Sequence, residues 1–217
     1  LSDATGIPEE LSSTCKTWAA ALEALKGDLD RIAYIQEELP TLIGRRALFM
    51  EILSGIESGA PYPDTRRSTL FNNEVILYQD ERRRFSLRLF LAGPGEYTPI
   101  HDHNAWGVIT PLIGRLGVTS YRRLDDGSEE LAAHLEENRS RVLDPGESGK
   151  VLPLNKGIHR TGNEGRGVMV MVSVYGLPVR RPYILGYNPD ERRAYRMYSP
   201  RTGKRVHAKE ALVQMGY

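Results

Sequence analysis

Pro99-Ile100-His101-Asp102-His103-Asn104-Ala105-Trp106-Gly107 follows a glycine-rich turn, Gly93-Pro94-Gly95, and runs into an apolar segment ending at Gly114. Side chains two apart on an extended strand point to one face. His101 and His103 therefore converge on one point, while Asp102 turns to the other face. Neutral imidazole is the commonest metal ligand in proteins. The pair reads either as two thirds of a metal site or as two solvated or core-satisfied histidines. A third candidate lies far along the chain in Pro153-Leu154-Asn155-Lys156-Gly157-Ile158-His159-Arg160-Thr161-Gly162-Asn163.

The surrounding sequence has the punctuation of a β protein. Extended runs at Val75–Tyr78, Phe85–Ala92, Trp106–Ile113, Leu116–Leu124, Glu130–Glu136, Val151–Leu154 and Val168–Tyr175 are separated by turn residues such as Asp125-Asp126-Gly127 and Asp144-Pro145-Gly146. Short strands with this spacing predict a sandwich or barrel. Val168 to Val174 is apolar on both faces, as a central strand covered on both sides would be.

The cover is expected from the start of the chain. Ala19, Ala20, Leu22, Leu25 and Leu29 form a helical stripe, which Ile32, Ile35, Leu39, Leu42 and Ile43 continue across Pro40. Pro40 is expected to break or restart the helix. Leu48, Ile52, Leu53 and Ile56 make a third stripe, closed by Gly59. The expected organisation is a helical segment over 1–60 packed on a barrel over 61–217 with a C-terminal extension. In that extension Tyr195–Tyr198 and Lys204–His207 are expected to pair as a hairpin around Pro200–Gly203. Its arginines and lysines read as a solvated face.

Composition excludes several classes. The 217 residues carry 29 basic and 28 acidic side chains, a net charge of +1. That balance gives no reason to expect nucleic acid or a membrane surface as partner. One cysteine, Cys15, cannot form an internal disulfide and reads as a small buried thiol, so a reducing cytoplasm is the simplest home. No apolar run approaches the roughly 20 residues that span a bilayer. The start lacks signal-peptide features, although Leu1 in place of Met is compatible with a trimmed leader. Monomer and dimer are both open.

The layout Gly95, His101-x-His103, Gly107, Gly114 resembles the first signature of the cupins, with Gly107 where cupins usually carry glutamate. His159 and Asn163 resemble the ending of the second signature. The stretch from Phe85 to Arg181, with its H-D-H-x-x-W-G core, is more specifically similar to the bacterial thiol dioxygenases. These are relatives of cysteine dioxygenase, and the nearest type is 3-mercaptopropionate dioxygenase. The resemblance implies a mainly β fold, the cupin double-stranded β-helix or jelly-roll barrel, with an N-terminal helical segment. It implies Fe(II) held by His101, His103 and His159, and a small anionic thiol oxidised by O2 to its sulfinate.

Position 107 is where mammalian cysteine dioxygenases have a cysteine crosslinked to a tyrosine, so no such crosslink can form here. The family's Ser-x-His-x-Tyr triad falls on Met171, Ser173 and Tyr175, and only the tyrosine remains. Arg181, in Val179-Arg180-Arg181, and Arg88, which shares a face with Phe90 and Ala92, are the candidate carboxylate clamps, each with a surface ion pair as the plainer reading. Gly107 is expected to leave space beside the metal for an anionic substrate. Trp106 is expected to pack. His134 and His207 are expected to be exposed. No carboxylate beside the ligands offers itself as a general base. The alternatives are a metal-binding oxygenase of a non-thiol substrate, a non-catalytic small-molecule-binding cupin, and, more weakly, a metal-dependent isomerase or zinc hydrolase.

Overall fold

A computed structural model describes residues 6–216. Leu1 lies outside them. The strands form two antiparallel sheets, one of five strands in the order β1-β2-β9-β4-β7 and one of six in the order β11-β10-β3-β8-β5-β6. In chain order these are β1 Glu74–Gln79, β2 Phe85–Ala92, β3 Ile100–His101, β4 Gly107–Ile113, β5 Leu116–Arg123, β6 Leu135–Leu143, β7 Gly149–Val151, β8 His159–Asn163, β9 Met169–Gly176, β10 Ile184–Asn188 and β11 Arg193–Met197.

The pairing identifies the topology. The chain doubles back at the β5–β6 pair, and the strands outward from it pair in turn: β4 with β7, β3 with β8, β2 with β9. Successive pairs alternate between the two sheets. A hairpin wound in this way is the double-stranded β-helix, the jelly roll expected from the sequence.

Three helices, α1 Glu9–Ala24, α2 Asp28–Ile43 and α3 Arg46–Ser58, cover the five-stranded sheet. Strand β9 shows why both faces of that sheet are apolar. Val170, Val172 and Val174 join Trp18, Ile35 and Phe49 in a core between helices and sheet. Met169 and Met171 face inward with Phe90 and Ile109. Trp106 belongs to the helix-facing core, and Cys15 is fully buried in it, as expected.

Several element expectations are corrected. Pro40 does not break α2: it stands in the last turn, three residues before the helix ends at Ile43, and its carbonyl accepts the capping N–H of Gly44 at 3.0 Å. The break falls earlier, after Ala24, and leaves Leu29 exposed. The strand expected at Glu130–Glu136 lies at Leu135–Leu143, a polar stretch whose pairing with β5 outweighs its weak strand pattern. The run expected to stay extended at Val151–Leu154 leaves the sheet after Val151 and turns into a short 3-10 helix at Leu154–Lys156. The C-terminal hairpin is absent. Tyr195 lies on β11, which pairs with β10, and Pro200 opens a helix, α4 Pro200–Gln214, a position where its missing N–H is harmless. No residue of α4 is buried, in keeping with a solvated basic face.

Candidate metal centre

The three histidines meet because of one register pair. His101, on β3, lies directly opposite His159 on β8. His103 follows β3 as the chain crosses to β4, and its ring centroid lies 4.7 Å from those of both His101 and His159. One nitrogen from each ring falls within 4.8 Å of the others, and the Nε2 atoms of His103 and His159 are 3.0 Å apart. All three residues are buried.

The protonation states suit a metal. Burial lowers the pKa of His101 to about 4, against a partly offsetting hydrogen bond to Pro99. Burial also holds His103 and His159 well below the ordinary histidine value, and the neighbouring rings add to it. All three are neutral at pH 7. The Nδ1–H of His101 donates to the Pro99 carbonyl at 2.8 Å, which leaves the Nε2 lone pair free. Three neutral imidazoles brought together with lone pairs inward fit a divalent first-row metal.

The loop between β3 and β4 is clamped by its polar residues. Asp102, fully buried, accepts the Leu185 N–H at 2.7 Å and Arg181 Nη2 at 2.6 Å. Asn104 donates to the carbonyls of Arg181 and Tyr183, both at 2.8 Å, and accepts from Arg181 Nε at 2.7 Å. Asn163, at the end of β8, pins the next turn through Ala92, Gly165 and Gly167.

Beside the histidines opens a pocket of about 310 Å³ whose walls include Phe71, Glu74, Arg88, His101, His103, Tyr175 and Arg181. Arg88 comes from the inner face of β2, opposite Ser173 of β9. Its Nε donates to Ser86 and its Nη1 to Glu74 at 3.0 Å. Tyr175 lies within van der Waals reach of Gly107, and its ring stacks on His103 at 5.5 Å. Burial and the charge of Glu74 push its phenol pKa up, so it stays protonated. Phe90 and buried Ser173 lie deeper: Phe90 packs edge-on against Phe71, which packs against His101.

Two expectations about this pocket change. Gly107 does not leave open space: a Cβ there would lie 2.5 Å from Tyr175 Cδ1, so the tyrosine ring fills the room. The parity expectation itself holds: Gly107 lies opposite Tyr175 of β9 and shares its pocket-facing side, and the room is lost because that partner carries a large ring. The pocket also holds a carboxylate, Glu74, which the sequence did not signal. It stands next to an ordinary apolar run, and only its register opposite Phe90 turns it inward. Burial raises its pKa, against the pull of Arg88. Phe71, in the loop before β1, was also missed: no strand or helix pattern includes it. His134 and His207 are exposed.

No family model matches the chain. The solved structures it resembles include cupin proteins. One is the Cupin_2 domain of an XRE family transcriptional regulator from Enterobacter cloacae, 16% identical over 49% of this chain and 96% of that one, with a TM-score of 0.34. A cupin 2 domain-containing protein from Halorhodospira halophila is 17% identical over 56% and 73%, with a TM-score of 0.41. An oxalate oxidase in complex with the substrate analogue glycolate is 23% identical over 56% and 63%, with a TM-score of 0.37. Likeness this distant carries no chemistry across. No helix among the described residues is long and apolar enough to cross a membrane.

Proposed function

We propose that this chain is a mononuclear non-haem Fe(II) dioxygenase that oxidises a small carboxylated thiol, 3-mercaptopropionate or a cysteine-like molecule, to its sulfinate. The net reaction is RSH + O2 → RSO2H. The observation that carries the reading is the buried cluster of three neutral histidines at the wall of a pocket that also holds two guanidinium groups. His101, His103 and His159 would hold the iron, which supplies open coordination positions for a thiolate and for O2.

The chain's own residues then bind and orient. Arg88 and Arg181 each spend one edge on a buried carboxylate, Glu74 and Asp102 respectively. Arg88 Nη2 and Arg181 Nη1 have no hydrogen-bond partner among the described residues, and both side chains line the pocket, so they would be available to a substrate carboxylate. Such a fork suits a carboxylate. Tyr175, held as the phenol, would donate a hydrogen bond to a ligand in the pocket. Phe90 and Ser173 do not line this pocket: Phe90 lines a smaller cavity beside it with His101, His159 and Tyr175, and Ser173 is fully buried.

Glu74 favours a second reading. A carboxylate of raised pKa next to a metal site is the general base that a hydrolase or isomerase needs. One experiment separates the two. Anaerobically purified protein is assayed for metal and then for O2 uptake with 3-mercaptopropionate, cysteine, cysteamine and mercaptosuccinate. The dioxygenase reading expects close to one iron per chain and uptake on a carboxylated thiol. Zinc in the site, or iron-loaded protein inert to every thiol, rejects it.

A further inference from the structure

A second concavity, about 470 Å³ in volume, lies at the seam where β6 and β7, the outermost strands of the two sheets, do not pair with each other. It shares no lining residue with the pocket of Arg88 and Arg181. Arg139, Arg141, Lys150 and Lys156 line it, and no carboxylate does. None of the four makes an ion pair among the described residues, although Arg122 and Arg123 on neighbouring β5 and Arg115 just before it all do.

The placement of the two arginines separates this groove from an ordinary charged surface. Cross-strand partners share a face. On β5 and β6 the partners are Leu116 with Leu143, Val118 with Arg141, and Ser120 with Arg139. Leu116, Val118 and Leu143 belong to the barrel's inner core. Arg139 and Arg141 therefore continue the inward face of the sheet, where the alternation calls for apolar side chains. The Arg141 guanidinium is seated against a glycine: a Cβ on Gly149 would lie 2.9 Å from its Nη2. Arg141 is half-buried and Arg139 exposed, and neither has a carboxylate partner among the described residues, so both guanidinium groups are free to meet an anion in the groove.

We propose that this groove is a second binding site, for a small molecule bearing phosphate groups. Arg139 and Arg141 would grip it from the sheet, and Lys150 and Lys156 would reach it from the rim. Guanidinium forks match phosphate oxygens in pairs, and ammonium groups add charge without fixed geometry. His159 closes the inner end of the groove, so the ligand would sit behind one member of the histidine cluster.

Calorimetric titration of the intact, metal-loaded protein with pyrophosphate, near physiological salt, tests the site. Saturable one-site binding is expected, weakened roughly tenfold or more by Arg139→Gln and by Arg141→Gln, a loss of the size expected for one charge-assisted pair. A triple Arg201→Gln, Lys204→Gln, Arg205→Gln variant on α4 is expected to bind as the parent does. Arg139 is exposed, so its variant keeps the test valid even if Arg141→Gln fails to fold. Absence of saturable binding, or affinity that survives in folded Arg139→Gln protein, overturns the proposal. Citrate binding more tightly than pyrophosphate overturns the assignment to phosphate.

Discussion

Gly107 shows how one missing side chain shapes the candidate centre. The Tyr175 ring occupies the room a Cβ would take, with Cδ1 at 2.5 Å and Cε1 at 2.8 Å, and the Val174 carbonyl closes the other side at 3.0 Å. The ring cannot retreat freely, because it stacks on His103. Gly107→Ala is therefore expected to cost about 1–3 kcal/mol, the usual range for overpacking. It should also lower metal content by unseating His103. Denaturant unfolding and metal analysis of the purified variant check both; parent-like values in both would reject this account. The histidines were legible because a two-residue spacing and a second motif each survive translation into one face. The pocket's counter-charges were not. Glu74 is paired with Arg88, and Asp102 with Arg181, across 14 and 79 residues of chain. No local pattern records a partner that distant.

Elements with an apolar stripe or an apolar run were found in the sequence, apart from the boundary between α1 and α2, because burial dictates their pattern. Helices α1 to α3 and strands β2, β5 and β9 are of this kind. Elements at the margins were misread. Strand β6 is mostly exposed and held by backbone pairing, so its side chains carry no alternation. Helix α4 begins Pro-Arg-Thr-Gly, which in isolation looks like a turn. Its tie to the body runs through its first turns, by the Ser199–Thr202 hydrogen bond and the ring contact of Tyr198 with His207. Because α4 buries nothing, truncation after Ser199 is expected to change unfolding free energy by less than about 1 kcal/mol. Met197 and Ser199, which line the pocket, would remain. Equilibrium unfolding of the shortened chain measures this. A loss of several kcal/mol would mean that α4 packs on the body in a way the structure does not contain.

At the scale of the whole molecule, the jelly roll carries its three histidines at an electrostatic cost that arises only below their unfolded-state pKa. Pairing β3 with β8 forces His101 and His159 together inside the barrel, and each ring must stay neutral there. In the unfolded chain a histidine titrates near 6.5. In the folded chain His101 titrates at about 4, and His103 and His159 are also displaced well downward. A lowered folded-state pKa means that below pH 6.5 the unfolded chain binds protons the folded chain does not. Metal-free protein therefore keeps its full stability above about pH 6.5. It loses up to about 1.4 kcal/mol per pH unit per histidine as the pH falls toward 4. A metal on the same nitrogens excludes protons from the folded state and adds its own binding energy. Protein loaded with iron or zinc should hold its unfolding midpoint to a lower pH, until protons displace the ion. Melting curves of stripped and loaded protein between pH 7.5 and pH 4.5 are expected to diverge as the pH falls toward 5. They should converge once the ion is lost. Curves that run parallel across the whole range would show that the three histidines do not hold the metal.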